Sequence, residues 1–289
     1  MTSAPNGPRG GRALFVLGVP RSGTTLIGNY LGSPPGVENL AEYGGFYVAY
    51  SIAPSVIQRI PGFHHEAYLA ELRDHARTFA ERKAREHECD WYLDHTPWNL
   101  EVGARLAADL PDALFVLMLR HYAGTILSLH QFPWGGDTWA DSARLWTTLC
   151  DQMLYLPEDR LIAVGYDALA ERPQQTLAGL AAGLATHGYP TADLDSRVLL
   201  LSHAAIIGQP RPVIGVAENG EALGLQPIRS FDAERWSGDI HAQVWPVVKD
   251  THFELLRRFP GTYRCPPRPD TLRIHDEAAG LVEYQLPAW

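Results

Sequence analysis

The chain has 289 residues, 46% of them hydrophobic, and its 33 acidic and 24 basic side chains give a net charge of −9 at pH 7. Such a chain can bury one sizeable core, and its acidic balance argues against nonspecific binding to nucleic acid or to an anionic membrane. Any phosphate site must be a local cluster of cations, and with Lys83 and Lys249 as the only lysines it has to rest on arginine, hydroxyl groups, histidine and backbone amides.

In chain order, Met1 to Arg12 is rich in Pro and Gly and is expected to be a flexible segment ahead of one domain over 13–265, with 266–289 as a tail packed upon it. Ala13 to Leu17 is an apolar strand that runs into Gly18-Val19-Pro20-Arg21-Ser22-Gly23-Thr24-Thr25, and Leu26 to Leu31 continues as a helix. Glu66 to Glu86 has the spacing of an amphipathic helix, Trp91 to Leu93 forms a short strand, and Trp98 to Ala108 forms a helix that stops before Pro111. Seven consecutive apolar residues, Ala113 to Leu119, predict a buried parallel strand ended by Arg120.

Helices follow over 123–131 and 139–155, then a strand at Leu161 to Val164 and a helix from Pro173 to His187. Ser202 to Arg235 is rich in Gly and Pro, and Gly208 to Arg229 within it is a candidate lid. A last helix spans Ala242 to Phe259, and Leu281 to Leu286 is a strand in the tail. Strands alternating with helices give an α/β fold, a single domain with a central parallel β-sheet flanked by helices. No stretch approaches bilayer length, and Cys89, Cys150 and Cys265 lack metal-ligand spacing and an even number, so a cytoplasmic protein with reduced thiols is expected.

The chemistry concentrates at strand ends. A strand feeding a glycine-bearing loop into a helix N-terminus is an anion site, because backbone amides and the helix dipole converge there and Arg21 adds a full charge. The glycines have the spacing of a nucleotide-binding P-loop, yet Thr24 occupies the place of the Walker lysine. Arg120 is the first polar residue after its strand, where ligands of parallel sheets bind, and Ser128 lies eight residues further on. An arginine fork and a serine hydroxyl can grip one phosphate together.

This loop, the strand ending Leu-Arg and the serine beyond it resemble the sulfotransferase family, and the nearest pattern is that of tyrosylprotein sulfotransferases and bacterial small-molecule sulfotransferases, over about Leu14 to Tyr263. The resemblance implies a P-loop-containing nucleotide hydrolase-like sulfotransferase fold and 3′-phosphoadenosine 5′-phosphosulfate (PAPS) as donor. It assigns the 5′-phosphosulfate to Arg21, Ser22, Gly23, Thr24 and Thr25, and the 3′-phosphate to Arg120 and Ser128. Tyr166 then contacts the adenine, and Arg235, before Trp236, reaches the nucleotide phosphates.

The register also gives Glu42 the place of a catalytic glutamate, with Glu38 as a weaker alternative. Asp94-His95-Thr96-Pro97 matches a segment that usually carries lysine in place of His95. A protonated His95 could replace that charge, which is the favoured expectation; a neutral one could share the base role, and a third reading has it cap the next helix. The implied reaction is in-line transfer to a hydroxyl of an intracellular small molecule, with adenosine 3′,5′-bisphosphate as product and neither metal nor nucleic acid involved. Tyr43, Phe46, Tyr47, Trp134, Trp139 and Trp146 are candidates to line the acceptor pocket. A P-loop kinase or NTPase, or a nucleotide-binding regulator without turnover, stay open as alternatives.

Overall fold

A computed structural model describes residues 11–52, 65–194, 213–216, 222–224, 235–264, 271–276 and 280–285. The chain begins with β1 (Arg12–Gly18), α1 (Thr24–Leu31), β2 (Val37–Asn39) and α2 (Gly45–Ser51). It continues through α3 (His65–Glu86), β3 (Trp91–Asp94), α4 (Asn99–Asp109), β4 (Leu114–Leu119), α5 (Tyr122–Leu129) and α6 (Trp139–Met153). Then come β5 (Leu161–Gly165), α7 (Tyr166–Glu171), α8 (Pro173–Ala185) and α9 (Gly238–Arg258). Two hairpins, Val213–Val216 with Ala222–Gly224 and Thr271–Asp276 with Gly280–Gln285, complete the described residues.

Strands β1 to β5 form one parallel sheet in the order β2-β3-β1-β4-β5. Its strands alternate faces at every residue, and both faces are covered. Leu14, Val16, Leu93, Val116 and Met118 meet Ile27 and Leu31 of α1 and Leu180 and Leu184 of α8. Phe15, Leu17, Tyr92, Phe115 and Leu117 meet Phe46, Ala80, Leu106, Trp146 and Val248 on the opposite face. This is the burial that makes β1 and β4 continuous apolar runs. The chain leaves β1 toward β2 and returns through β3 and α4 to β4 on its other side, so the loop after β1 opens at the point where the strand order reverses, the favoured ligand crevice of such sheets.

The sequence expectations for β1, β3, β4, β5, α1, α3 and α4 coincide with observed elements to within two residues. The last long helix starts earlier than expected, because Ser237 caps it by accepting from the Ile240 amide at 3.3 Å. Elements β2, α2 and α7 were not expected: β2 has three residues, and α2 and α7 begin at Gly44 and Gly165 without a capping side chain. The proposed lid over 208–229 and the N-terminal segment fall largely outside the described residues, as does Cys265. Among the described residues no helix is long and apolar enough to cross a membrane.

Two of the expected acceptor-pocket residues belong to the core instead. Phe46 is fully buried between Phe15, Tyr43 and Tyr92, and Trp146 is 1% exposed against Tyr122. Truncating so large a buried ring removes transfer energy and leaves a cavity, so Trp146→Ala should cost about 3–5 kcal/mol, seen as a lowered urea midpoint with unchanged slope. A loss below about 1 kcal/mol would show that Trp146 is not core.

Candidate functional site

The site starts from the way α1 begins. Its N-cap, Gly23, has φ 101°, lacks a capping side chain, and sits so close to Tyr166 that a Cβ would come within 2.8 Å of that ring. The first helical turn contains no acidic residue. A helix start leaves its leading backbone amides without intrahelical acceptors, and here neither a capping oxygen nor a carboxylate answers them. By contrast, α6 closes its start with a reciprocal Thr138–Asp141 box. Ser22 adds a hydroxyl that is buried without a hydrogen-bond partner. The α1 start thus has the donors of an anion cradle.

Two guanidinium groups border it. Arg21 is held in the left-handed region, φ 75°, a conformation a side-chain-bearing residue adopts at a cost. Its Nε donates to Ser128 Oγ at 3.0 Å, and its guanidinium lies over the Phe132 ring at 4.6 Å. Arg120 donates from Nη1 to the Arg21 carbonyl at 2.8 Å and stacks over Tyr166 at 4.3 Å. Burial, then the nearby charge of Arg120, lower the pKa of Arg21. An anion placed between the arginines would offset both by favouring the charged form of Arg21.

The turn after β4 is tied down by groups the sequence reading passed over. Asp167 accepts from the His121 amide at 3.2 Å, and His121 accepts through Nδ1 from Ala123 at the start of α5. These contacts fix the backbone immediately after Arg120. Asp167 lies next to Tyr166 in sequence, so an acidic residue after a strand-end tyrosine was the available signal.

Glu42 is exposed, and its carboxylate accepts from Thr25 Oγ1 at 3.0 Å. The loop and the candidate base are therefore in direct contact. Glu38 is not an equivalent, because it pairs with His87 Nδ1 at 2.5 Å. Arg235 is exposed beside Trp236, which packs edge-on against Tyr122, and it shares none of the contacts that join Arg21, Thr25, Glu42, Arg120, Ser128 and Tyr166.

His95 is 2% exposed and packs on Gly28 of α1, where a Cβ would overlap its ring. Its backbone amide donates to Ala41 at 3.0 Å, whereas both ring nitrogens lack partners. Burial pushes its pKa down to about 4. The ring is thus neutral near pH 7, against the favoured expectation of a protonated side chain. It does not cap α4 either: that helix starts after Trp98 with no side-chain cap. Asp94 is buried beside it, accepting from the Thr96 amide at 2.8 Å and hydroxyl at 2.6 Å, and Thr96 Oγ1 in turn accepts from the Gly44 amide at 3.0 Å. This chain of bonds joins the end of β3 to the loop that carries Glu42.

The depressed pKa makes a stability statement. As pH falls from 6.5 toward 4, the unfolded chain takes up a proton at His95 that the folded protein refuses, so stability present above pH 6.5 is lost across that window. The burial of Asp94 raises its own pKa and acts in the opposite sense, so the comparison must isolate His95. Urea titrations at pH 7 and pH 4.5 should show that His95→Gln removes part of the acid destabilisation, on the order of 2 kcal/mol. Parallel pH profiles in the two proteins would mean that His95 does not titrate in this way.

The sulfotransferase family model matches residues 13–187, more than half of the chain. No curated protein sequence matches it significantly. Among solved structures, the sulfotransferase domain from the curacin biosynthetic pathway is 14% identical with a TM-score of 0.52, covering 89% of this chain and 99% of that one. The sulfotransferase STF9 from Mycobacterium avium is also 14% identical with a TM-score of 0.52, covering 90% of this chain and 79% of that one. The sulfotransferase domain of the Synechococcus PCC 7002 olefin synthase is 16% identical with a TM-score of 0.50, over 92% and 100% of the two chains. At these identities the likeness is one of fold.

Proposed function

Because the chain belongs to the sulfotransferase family, we propose that it moves a sulfuryl group from PAPS to a hydroxyl of a small-molecule acceptor. The observation that carries this reading is the uncapped start of α1 between two arginines, with the buried Ser22 hydroxyl unpartnered. The donor, when bound, supplies a sulfuryl group on an anhydride bond to its 5′-phosphate. The amides of Gly23, Thr24 and Thr25, with Ser22 and Arg21, hold the phosphosulfate, while Arg120 and Ser128 hold the 3′-phosphate. Tyr166 contacts the adenine, and Arg235, which shares none of these contacts, is assigned to the phosphates by its place before Trp236 alone.

Glu42 takes the acceptor's proton as the acceptor oxygen bonds to sulfur and the bridging S–O bond pair passes to the 5′-phosphate. Thr25 orients that carboxylate by donating to one of its oxygens. Arg21 and the α1 amides stabilise the charge that moves onto the sulfuryl oxygens and the leaving phosphate, in a site where their positions are already fixed. A neutral, enclosed His95 brings no full charge to that site. The kinase alternative needs a cation where Thr24 is buried in the first turn of α1, and the family match favours sulfuryl transfer. A cytoplasmic location suits a donor made and used inside the cell.

Incubation with PAPS and a panel of hydroxylated compounds should give the mass gain of one sulfate on at least one of them, which also removes the regulator reading. Glu42→Gln should lower kcat by about 100-fold or more while leaving the affinity for adenosine 3′,5′-bisphosphate unchanged. Near-normal turnover in that variant would assign the base elsewhere.

A further inference from the structure

A continuous row of aromatic rings leads away from the candidate site. It begins at Arg21, whose guanidinium lies 4.6 Å from the Phe132 centroid. Phe132 stacks on Trp134 at 5.1 Å with 24° between planes; Trp134 meets Trp98 edge-on at 5.7 Å, and Trp98 meets Tyr47 at 6.3 Å. Both ends are fixed by polar contacts, Arg21 to Ser128 at 3.0 Å and the Tyr47 hydroxyl to Glu101 at 3.2 Å. The four rings come from three separate parts of the chain: α2, the start of α4 and the turn Pro133–Gly135. Trp134 is 44% exposed, whereas Trp146 and Trp91 are buried.

We propose that this row is the acceptor wall, that Trp134 is its specificity-determining residue, and that the acceptor it selects is a flat aromatic hydroxyl, a phenol. The inference rests on the sulfotransferase reading and adds the substrate class. A row that starts at the cation of the sulfuryl-binding loop places an acceptor ring within reach of the transferred group. Stacked or edge-on aromatic contact is favourable for planar rings and weaker for saturated ones of the same size. Between the groups at its two ends the wall offers only the indole N–H donors of Trp98 and Trp134 and no acceptor, so it is poorly equipped to satisfy the several hydroxyls of a sugar, which would be left unpaired.

The proposed base points the same way. A phenol ionises near pH 10, whereas an aliphatic hydroxyl is, like water, far less acidic, so a carboxylate removes the phenolic proton against a much smaller deficit. Transfer then forms the aryl sulfate, with the phenolic proton on Glu42 and the bridging bond pair on the departing nucleotide.

The test uses the full chain loaded with adenosine 3′,5′-bisphosphate and two probes of one skeleton, 2-naphthol and its saturated analogue decahydro-2-naphthol. Calorimetry and quenching of tryptophan fluorescence should show 2-naphthol binding about tenfold or more tightly than the analogue. Trp134→Ala should abolish most of that preference and Trp134→Phe should keep it, both with unchanged nucleotide affinity. Equal binding of the two probes, or a preference that survives Trp134→Ala, overturns the acceptor assignment while leaving the nucleotide site intact. Failure of the nucleotide itself to bind overturns the sulfotransferase reading and this inference with it.

Discussion

Two like charges, Arg21 and Arg120, are held together at the carboxyl end of a parallel sheet, and that arrangement is the constraint on which the rest of the site depends. The Arg120 guanidinium donates to the backbone of Arg21, and its charge together with burial opposes the charge of Arg21. Cations so placed beside the unanswered amides of a helix start favour an anion between them. The surrounding structure is arranged to hold this conflict in place. Arg21 is kept at positive φ, Gly23 fits against Tyr166 because it has no Cβ, and Asp167 with His121 pins the turn after β4.

The sheet explains why these groups meet. Arg21 and Arg120 follow neighbouring strands, β1 and β4, paired in register from Leu14–Leu114 to Gly18–Met118. Arg120 and Tyr166 similarly follow β4 and β5. On the other side of β1, β3 delivers Asp94 and His95, and β2 leads to the loop bearing Glu42. An acidic chain can therefore present a concentrated positive site, because five strand ends bring residues from distant parts of the sequence to one edge. The proposed acceptor side is different in character: a carboxylate and a row of aromatic rings.

Much of the frame could be read from the residue pattern. The apolar runs of β1, β4 and β5 announce a sheet covered on both faces, and the glycine loop between β1 and α1 marks a candidate anion site. What the pattern could not supply was burial. Trp146, Phe46 and Trp134 are equally aromatic, yet two fill the core and the third stands at the surface, a distinction made by packing between elements far apart in sequence. The charge of His95 follows from its fit against Gly28, which no spacing rule reveals. The short β2 strand and the uncapped α2 and α7 helices carry too few periodic residues or start signals to stand out.

The central claim is that the α1 start and its two arginines form a cradle for a phosphoadenosine nucleotide. It is tested most directly by calorimetric titration of the full chain with adenosine 3′,5′-bisphosphate and, separately, with ATP and Mg2+. The account predicts clear preference for the bisphosphate, weakened on the order of 10-fold or more in Arg120→Ala, as expected for loss of charge-assisted hydrogen bonds to phosphate. Tighter binding of ATP with Mg2+, or bisphosphate affinity indifferent to Arg120, would contradict it.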